Sequence, residues 1–179
     1  MIAVTIMFAA CSSEDASSDA EIFAEAREKI DIEKYLAKIE AGGKYKIDTT
    51  ELGVFYYFKE HGVGDYPRSG DTLSIVFDTF NLFGILLGSS RVSQNDSIYR
   101  FVYKSADHYV RGWDEMMGYL NKGARVEFIV PYELAFGADR FNNTGTTSAI
   151  LVNQVYEVPP FTSLIFKVLM KDIVPPVVF

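Results

Sequence analysis

After residue 43 the chain is cut into short β-type runs by dense turn punctuation, and only one short stretch between them reads as helical. VFYYFKE (54–60), TLSIVFDTF (72–80), SIYRFVY (97–103), ARVEFIV (124–130) and SLIFKVLMKDI (163–173) are rich in β-branched and aromatic side chains. Glycine, proline and aspartate cluster between them, as in HGVGDYPRSGD. Such runs read as strands and such clusters as turns. ARVEFIV alternates apolar and polar residues, the pattern of a half-buried strand. The exception is WDEMMGYLN (113–121), with Trp113, Met116, Met117 and Leu120 on one face and Asp114 and Glu115 at its start. Acids there suit the positive end of a helix dipole, and Gly123 after Lys122 predicts the stop. Many strands with one short helix predict an α+β fold, an antiparallel β-sheet wrapped around that α-helix.

An amphipathic helix precedes this region. Ile22, Ala26 and Ile30, then Ile32, Leu36 and Ile39, recur at three- and four-residue spacing. Asp19 serves as N-cap, and the AGG at 41–43 ends the helix. Its apolar stripe has two readings, a docking or homodimer surface and a face packed on its own domain. Residues 12–19, mostly Ser, Asp, Glu and Ala, read as a disordered tether. Before them stands Cys11, the single cysteine, after the apolar MIAVTIMFAA. One thiol excludes an internal disulfide framework. FAAC is similar to a bacterial lipobox, in which the cysteine carries lipid, although no basic residue precedes the run and Phe8 stands at the usual leucine position. A buried first strand is the other reading, but the polar residues after Cys11 make a poor strand. The expected organisation is a signal or lipoprotein segment with linker (1–19), an N-terminal helix (20–43) and one domain (44–179).

Charge and motif content exclude several functions. A formal charge of −7 without a basic cluster disfavours nucleic acid and anionic membrane surfaces as partners. The histidines, His61 and His108, with a lipobox-type cysteine, offer little for a metal or a Cys/His nucleophile, so no cofactor and no metal are expected. GVGDYP lacks the third glycine and the following helix of a dinucleotide loop. Asp114 and Glu115 are better explained by helix capping than by acid–base work. One reaction needs none of these groups. Rotation about an X–Pro bond meets a barrier of about 20 kcal/mol because amide resonance must be lost. An apolar, water-excluding pocket disfavours the planar, charge-separated amide relative to the twisted one. A cup of aromatic side chains supplies that environment, and this chain holds 14 Phe, 11 Tyr and one Trp.

The ordered motifs carry a family resemblance over about residues 50–174. VRGWDEMMGYLNKGARVEFIVPYELAFGA, followed by VPPFTSLIFKVLMKDI, resembles the FK506-binding-protein (FKBP-type) peptidyl-prolyl isomerases. Upstream, GVGDYPRSGDTLSIVFDTFNLFGILLGSS is similar to the family's entry strand and keeps a double serine, Ser89–Ser90. The helix and strand at 20–60 resemble the extension of bacterial lipoprotein members. The resemblance implies an FKBP-like fold whose pocket has Trp113 as its floor, with Tyr109 and Val110 beside it. The Val110 backbone N–H would hold a ligand carbonyl, and Tyr99, Val158 and Phe166 would form walls. Phe77, Leu87 and Phe136 stand where the family usually has Tyr, Phe and Tyr, and Gly88 stands where it usually has Asp. Phenylalanine at 136 cannot donate a hydrogen bond to a bound ligand, a loss on the order of 1 kcal/mol. Gly88 and Phe77 remove a carboxylate and its usual hydroxyl partner together, leaving a more apolar pocket. The loop 139–157, longer than in the smallest members, lies where it could cover the mouth.

The implied function is a prolyl isomerase that helps envelope proteins fold, in the periplasm or at the outer membrane, anchored through Cys11. Its partners would be proline-containing or unfolded polypeptides, and its activity weak because polar pocket residues are replaced. The alternatives are a non-catalytic FKBP-like chaperone that binds extended segments, a structural lipoprotein, and a carrier of small apolar ligands.

Overall fold

The computed structural model describes residues 13–93, 96–104, 110–138, 141–142 and 157–176. Cys11, Tyr109 and the 139–157 loop apart from 141–142 and 157 lie outside them. The elements in chain order are α1 (Ser13–Ala41), β1 (Asp48–Thr49), β2 (Phe55–Glu60), β3 (Thr72–Asn81), β4 (Leu86–Ser89), α2 (Ser90–Ser93), β5 (Tyr99–Val102), α3 (Arg111–Met117), β6 (Arg125–Val130), β7 (Phe141–Asn142), β8 (Glu157–Val158) and β9 (Leu164–Val174). One sheet runs β1-β2-β6-β9-β3-β4, and β5 also pairs with β3. Every pairing in it is antiparallel. β3 is long enough to pair with β5 along Thr72–Ile75 and with β4 along Asp78–Phe80, while its other edge follows β9 throughout. The expected α+β architecture, an antiparallel sheet around a short helix, is present.

Alternation sorts side chains to the two faces of the sheet. Leu73, Ile75, Phe77 and Thr79 of β3 are buried on the inner face, and the paired Val126–Val168, Phe128–Phe166 and Val130–Leu164 of β6 and β9 join them. With Trp113, Met116, Met117 and Leu120 they form the main core. The outer face is covered as well. Ile32 of α1 packs on the paired Ile129 and Ile165, with Tyr35, Leu36, Phe55, Phe80 and Leu82 around them. The N-terminal helix therefore packs on its own domain through half of its stripe, while Ile22 and Ile30, and Phe23 beside them, stay exposed. This second cover changes the reading of ARVEFIV, whose polar member Glu127 is only 3% exposed. The Tyr35 hydroxyl donates to Glu127 Oε1 at 2.7 Å, and Lys59 Nζ to Oε2 at 2.8 Å.

Two helix boundaries differ from expectation. α1 begins at Ser13, not at Asp19, so the segment expected to be a disordered tether is helical from residue 13. α3 ends at Met117, one residue before Gly118, and not at Gly123. Gly118, Tyr119 and Leu120 then donate three residues back, to Glu115, Met116 and Met117, a tighter final turn. Among the described residues no helix is long and apolar enough to cross a membrane.

A second clamp joins α1 to the segment before β9. The Ser163 backbone N–H donates to Glu28 Oε1 at 2.6 Å, and Ser163 Oγ accepts the Tyr132 N–H at 3.1 Å. Burial pushes the Glu28 carboxyl above its ordinary 4.5, against the opposing hydrogen bonds from Ser163. A carboxyl raised on folding favours the folded chain below its ordinary value, and that contribution is lost as pH rises through the raised one. Glu28→Gln keeps an acceptor for Ser163 and removes the charge. Its Tm relative to the parent should therefore rise as pH increases above the ordinary carboxyl value of 4.5, as read by thermal unfolding at a series of pH values. A constant difference would contradict this role for the Glu28 charge.

Candidate functional site

Trp113 sits in the first turn of α3, and its backbone N–H donates to the Val110 carbonyl at 3.1 Å. Val110 is the helix N-cap and has extended backbone, φ −101° and ψ 94°. Its own N–H precedes the helical ladder and takes no part in it. Glycine before the tryptophan has a steric reason. A Cβ on Gly112 would lie 2.5 Å from Val130 Cγ1 and 3.0 Å from Val54 Cγ2, so only glycine lets the helix start lie against β6. At the far end of the same helix, Glu115 accepts the Thr50 hydroxyl at 2.5 Å and the Leu52 N–H at 3.1 Å. That acid fastens the turn between β1 and β2, a structural role for Glu115 other than the expected capping, since the N-cap is Val110 and no side chain caps α3.

Around the indole stand four phenylalanines. Ring centroids lie 5.0 Å away for Phe166, 5.4 Å for Phe77, 6.2 Å for Phe128 and 6.3 Å for Phe101. Phe77 meets Trp113 edge-on and also meets Tyr99 edge-on at 5.7 Å, while Tyr99 stacks on Phe101 at 5.4 Å. Leu87, Val110 and Val158 are buried in the same cluster, with Tyr99 and Phe136 half-buried at its margin. The structure thus brings together eight of the nine pocket residues expected from sequence; Tyr109 lies outside the described residues. It adds Phe101 and Phe128. Phe101 is two residues from Tyr99 on β5, and that period-two spacing was the available signal. Phe128 is the direct cross-strand partner of Phe166.

The set is closed and apolar. Trp113 is 0% exposed, and its indole N–H has no hydrogen-bond partner among the described residues. A ligand that reaches the indole must part the side chains over it, and Tyr99, Phe101 and Phe136 are the half-buried members. Burial raises the Tyr99 phenol above its ordinary value. Phe136 lies just before Gly137, whose N–H donates to the Tyr132 carbonyl at 2.9 Å and whose carbonyl accepts the Phe161 N–H at 3.1 Å. These bonds tie the Phe136 loop to the segment that follows Val158.

Polar groups near Phe77 serve the frame of the site. Ser90 Oγ accepts the Phe77 N–H at 3.0 Å and donates to the Ser97 carbonyl at 2.8 Å. Ser89 Oγ donates to Asp78 Oδ1 at 2.5 Å, and Arg91 Nε lies 3.5 Å from Asp78 Oδ2. The double serine thus pins β4 and α2 to β3. Asp78 alternates with Phe77 and so belongs to the opposite face of β3, where it does not replace the carboxylate missing at Gly88. Gly88 pairs with Thr79, and paired residues present to one face. A side chain at 88 would therefore emerge on the Phe77 side. Among the described residues no group of three His, Cys, Asp or Glu side chains could hold a metal ion.

Comparisons with known proteins agree with this fold. The family model described as FKBP-type peptidyl-prolyl cis-trans isomerase matches residues 64–171, more than half of the chain. A probable FKBP-type peptidyl-prolyl cis-trans isomerase of Haemophilus influenzae is 27% identical over 143 residues, covering 80% of this chain and 51% of that protein. The FKBP-type peptidyl-prolyl cis-trans isomerase FkpA of Escherichia coli K12 is 26% identical over 153 residues, covering 80% and 50%. The chain spans about half the length of these curated relatives. In structure it is similar to the crystal structure of FkpA from Escherichia coli, with a TM-score of 0.60 and 23% identity over 90% of this chain and 68% of that one. The N-terminal domain of FKBP42 from Arabidopsis thaliana gives a TM-score of 0.58 at 16% identity, covering 72% and 91%.

Proposed function

Since the chain belongs to the FKBP-type peptidyl-prolyl cis-trans isomerase family, we propose that its Trp113 pocket binds proline-containing segments of polypeptides and accelerates rotation about their X–Pro bonds. The observation that carries this reading is a fully buried indole, presented by a short helix and ringed by Phe77, Phe101, Phe128 and Phe166. A prolyl ring seated on that floor leaves water, and the twisted amide gains over the planar one because it has lost charge separation. The Val110 N–H, at the helix start, is the donor for a substrate carbonyl. Val158, Phe166 and Leu87 supply apolar walls, and Tyr99 and Phe136 part at the mouth.

Two features favour weak catalysis and give the second reading, a binding module without turnover. Phe136, Phe77 and Gly88 offer no side-chain hydrogen bond or charge to a twisted amide, and the floor is covered in the structure. A double-mutant cycle tests the missing rim. Phe77→Tyr alone places an unpaired hydroxyl in the core and should destabilise by about 1–3 kcal/mol. Gly88→Asp added to it supplies the partner on the same face, so coupling of about 1–3 kcal/mol is expected by chemical denaturation. Isomerase activity of the double variant should exceed that of the parent. Additive stabilities with unchanged activity would rule out the rim as the limiting feature.

The cellular reading rests on the N-terminus. The lipobox-like FAAC supports lipid attachment at Cys11 and residence in the bacterial envelope, where unfolded chains arrive for folding. Intact-mass analysis of protein from its native membrane tests this, with diacylglyceryl modification of Cys11 as the expected result. The exposed Ile22, Phe23 and Ile30 of α1 are the surface left for a homodimer, and sedimentation at graded concentration tests that arrangement.

A further inference from the structure

At the opposite end of α3 from Trp113, a cleft of about 460 Å3 opens between β2, the turn at 61–66 and residues 118–121. It shares no residue with the prolyl pocket. Its walls are aromatic: Tyr56, Phe58, Tyr66 and Tyr119, with His61 stacked on Phe58 at 4.7 Å. Tyr56 meets Phe58 edge-on at 5.7 Å and tilts against Tyr119 at 5.8 Å. Tyr66 at the lip is 58% exposed. These rings are half-buried or exposed, unlike the buried Phe77, Trp113, Phe128 and Phe166.

The surrounding charge is negative, and it is set back from the walls. Asp48 is the direct cross-strand partner of Tyr56 and so shares its face. Asp48 uses one oxygen on the Thr49 N–H at 3.0 Å. Its charge acts on the Tyr56 phenol, and those of Glu115 and Glu51 on Tyr119, each adding to burial in raising the phenol above its ordinary value. Lys122, next to Asn121 of the wall, is held by Asp172 at 2.7 Å. None of the lining residues is itself a carboxylate.

We propose that this aromatic cup binds a quaternary ammonium group, a trimethylammonium cation carried on a short chain, against the rings of Tyr56, Tyr66 and Tyr119. Ring faces attract cations through their quadrupoles, and quaternary ammonium ions are the ligands that aromatic cages take most readily. Such an ion has no N–H donors, so it needs no carboxylate in the wall; the acids behind the rings contribute field alone. A lysine ammonium is compact and strongly hydrated and calls for direct acceptors. The cleft is larger than a trimethylammonium head, which leaves room for the chain that bears it.

Choline chloride titrated into the full chain, followed by amide NMR, tests the site. The expected result is saturable shifts at Gly62, Gly118 and Tyr119. Tyr119→Leu should weaken binding about fivefold and Asp48→Asn about twofold, both with the parent fold by circular dichroism. The uncharged isostere 3,3-dimethylbutan-1-ol should bind at least about fivefold more weakly than choline. Co-sedimentation with phosphatidylcholine vesicles, lost in Tyr119→Leu, would assign a lipid head group as the source; choline shifts without co-sedimentation would assign a free solute. Equal affinity for the isostere, tighter binding of N-acetyl-lysinamide, or no saturable shift up to about 50 mM choline would each overturn the proposal.

Discussion

Replacing Trp113 with alanine is expected to destabilise the domain by about 3–5 kcal/mol, the range for deleting a large buried aromatic. The indole is fully buried among four phenylalanine rings with centroids between 5.0 and 6.3 Å away. No hydrogen bond is lost with it among the described residues, because its N–H has no partner there. The loss is therefore one of burial and packing, and its size depends on how far Phe77, Phe128 and Phe166 collapse into the space. Chemical denaturation followed by far-UV circular dichroism measures it, since the chain holds no second tryptophan. A change under about 1 kcal/mol would contradict the packing described. The same residue anchors the core and is the proposed pocket floor, so loss of activity in the alanine variant would report lost packing as well as lost chemistry. Trp113→Phe, which keeps an aromatic floor, is the informative variant for function.

The second large effect is expected at Glu127. Glu127→Ala removes the acceptor of Tyr35, Tyr57 and Lys59 at once and should destabilise by about 3 kcal/mol. Lys59 is itself 37% exposed, so solvent screens its part and most of the loss falls on the two hydroxyls. Burial alone would raise this carboxyl, but hydrogen bonds from Lys59, Tyr35 and Tyr57 outweigh it and hold the group below its ordinary 4.5. A carboxyl depressed on folding stabilises at pH above its ordinary value, and that contribution disappears as pH falls through the depressed one. The Glu127 effect should thus be full at neutral pH and shrink in acid, opposite in sign to that of Glu28. Hydrogen exchange locates the consequence: α1 amides near Ile32 and Leu36 should lose protection first in Glu127→Ala and, more mildly, in Tyr35→Phe. Unchanged protection of α1 would separate this cluster from helix docking.

Much of the sheet was legible because alternation and turn chemistry are local properties. TLSIVFDTF and SLIFKVLMKDI became β3 and β9 nearly to the residue. β1, β7 and β8 have two residues each and β4 has four, too few to show a period. The end of α3 was misplaced because two glycines compete as stops. Gly118 sits where a Cβ would lie 2.7 Å from the Tyr103 hydroxyl, a contact that no local pattern reveals. Glu127 was harder still: as one polar residue in an apolar run it signals a solvent face. Its burial follows only from α1 lying over that face. The ordered motifs made the family legible and named residues that lie in one core cluster, while Phe101 and Phe128 needed the tertiary arrangement to distinguish them from other core phenylalanines.

The most direct test of the central claim is cis/trans exchange of an X–Pro peptide, measured by NMR exchange spectroscopy with catalytic amounts of the full chain. The account predicts exchange faster than the uncatalysed tens of seconds, a change in Trp113 emission as the peptide saturates, and loss of acceleration in a folded Trp113→Phe variant or a clear reduction of it. Exchange at the uncatalysed rate, in a protein that is folded and binds the peptide, would contradict the isomerase reading and leave the pocket as a binding site alone.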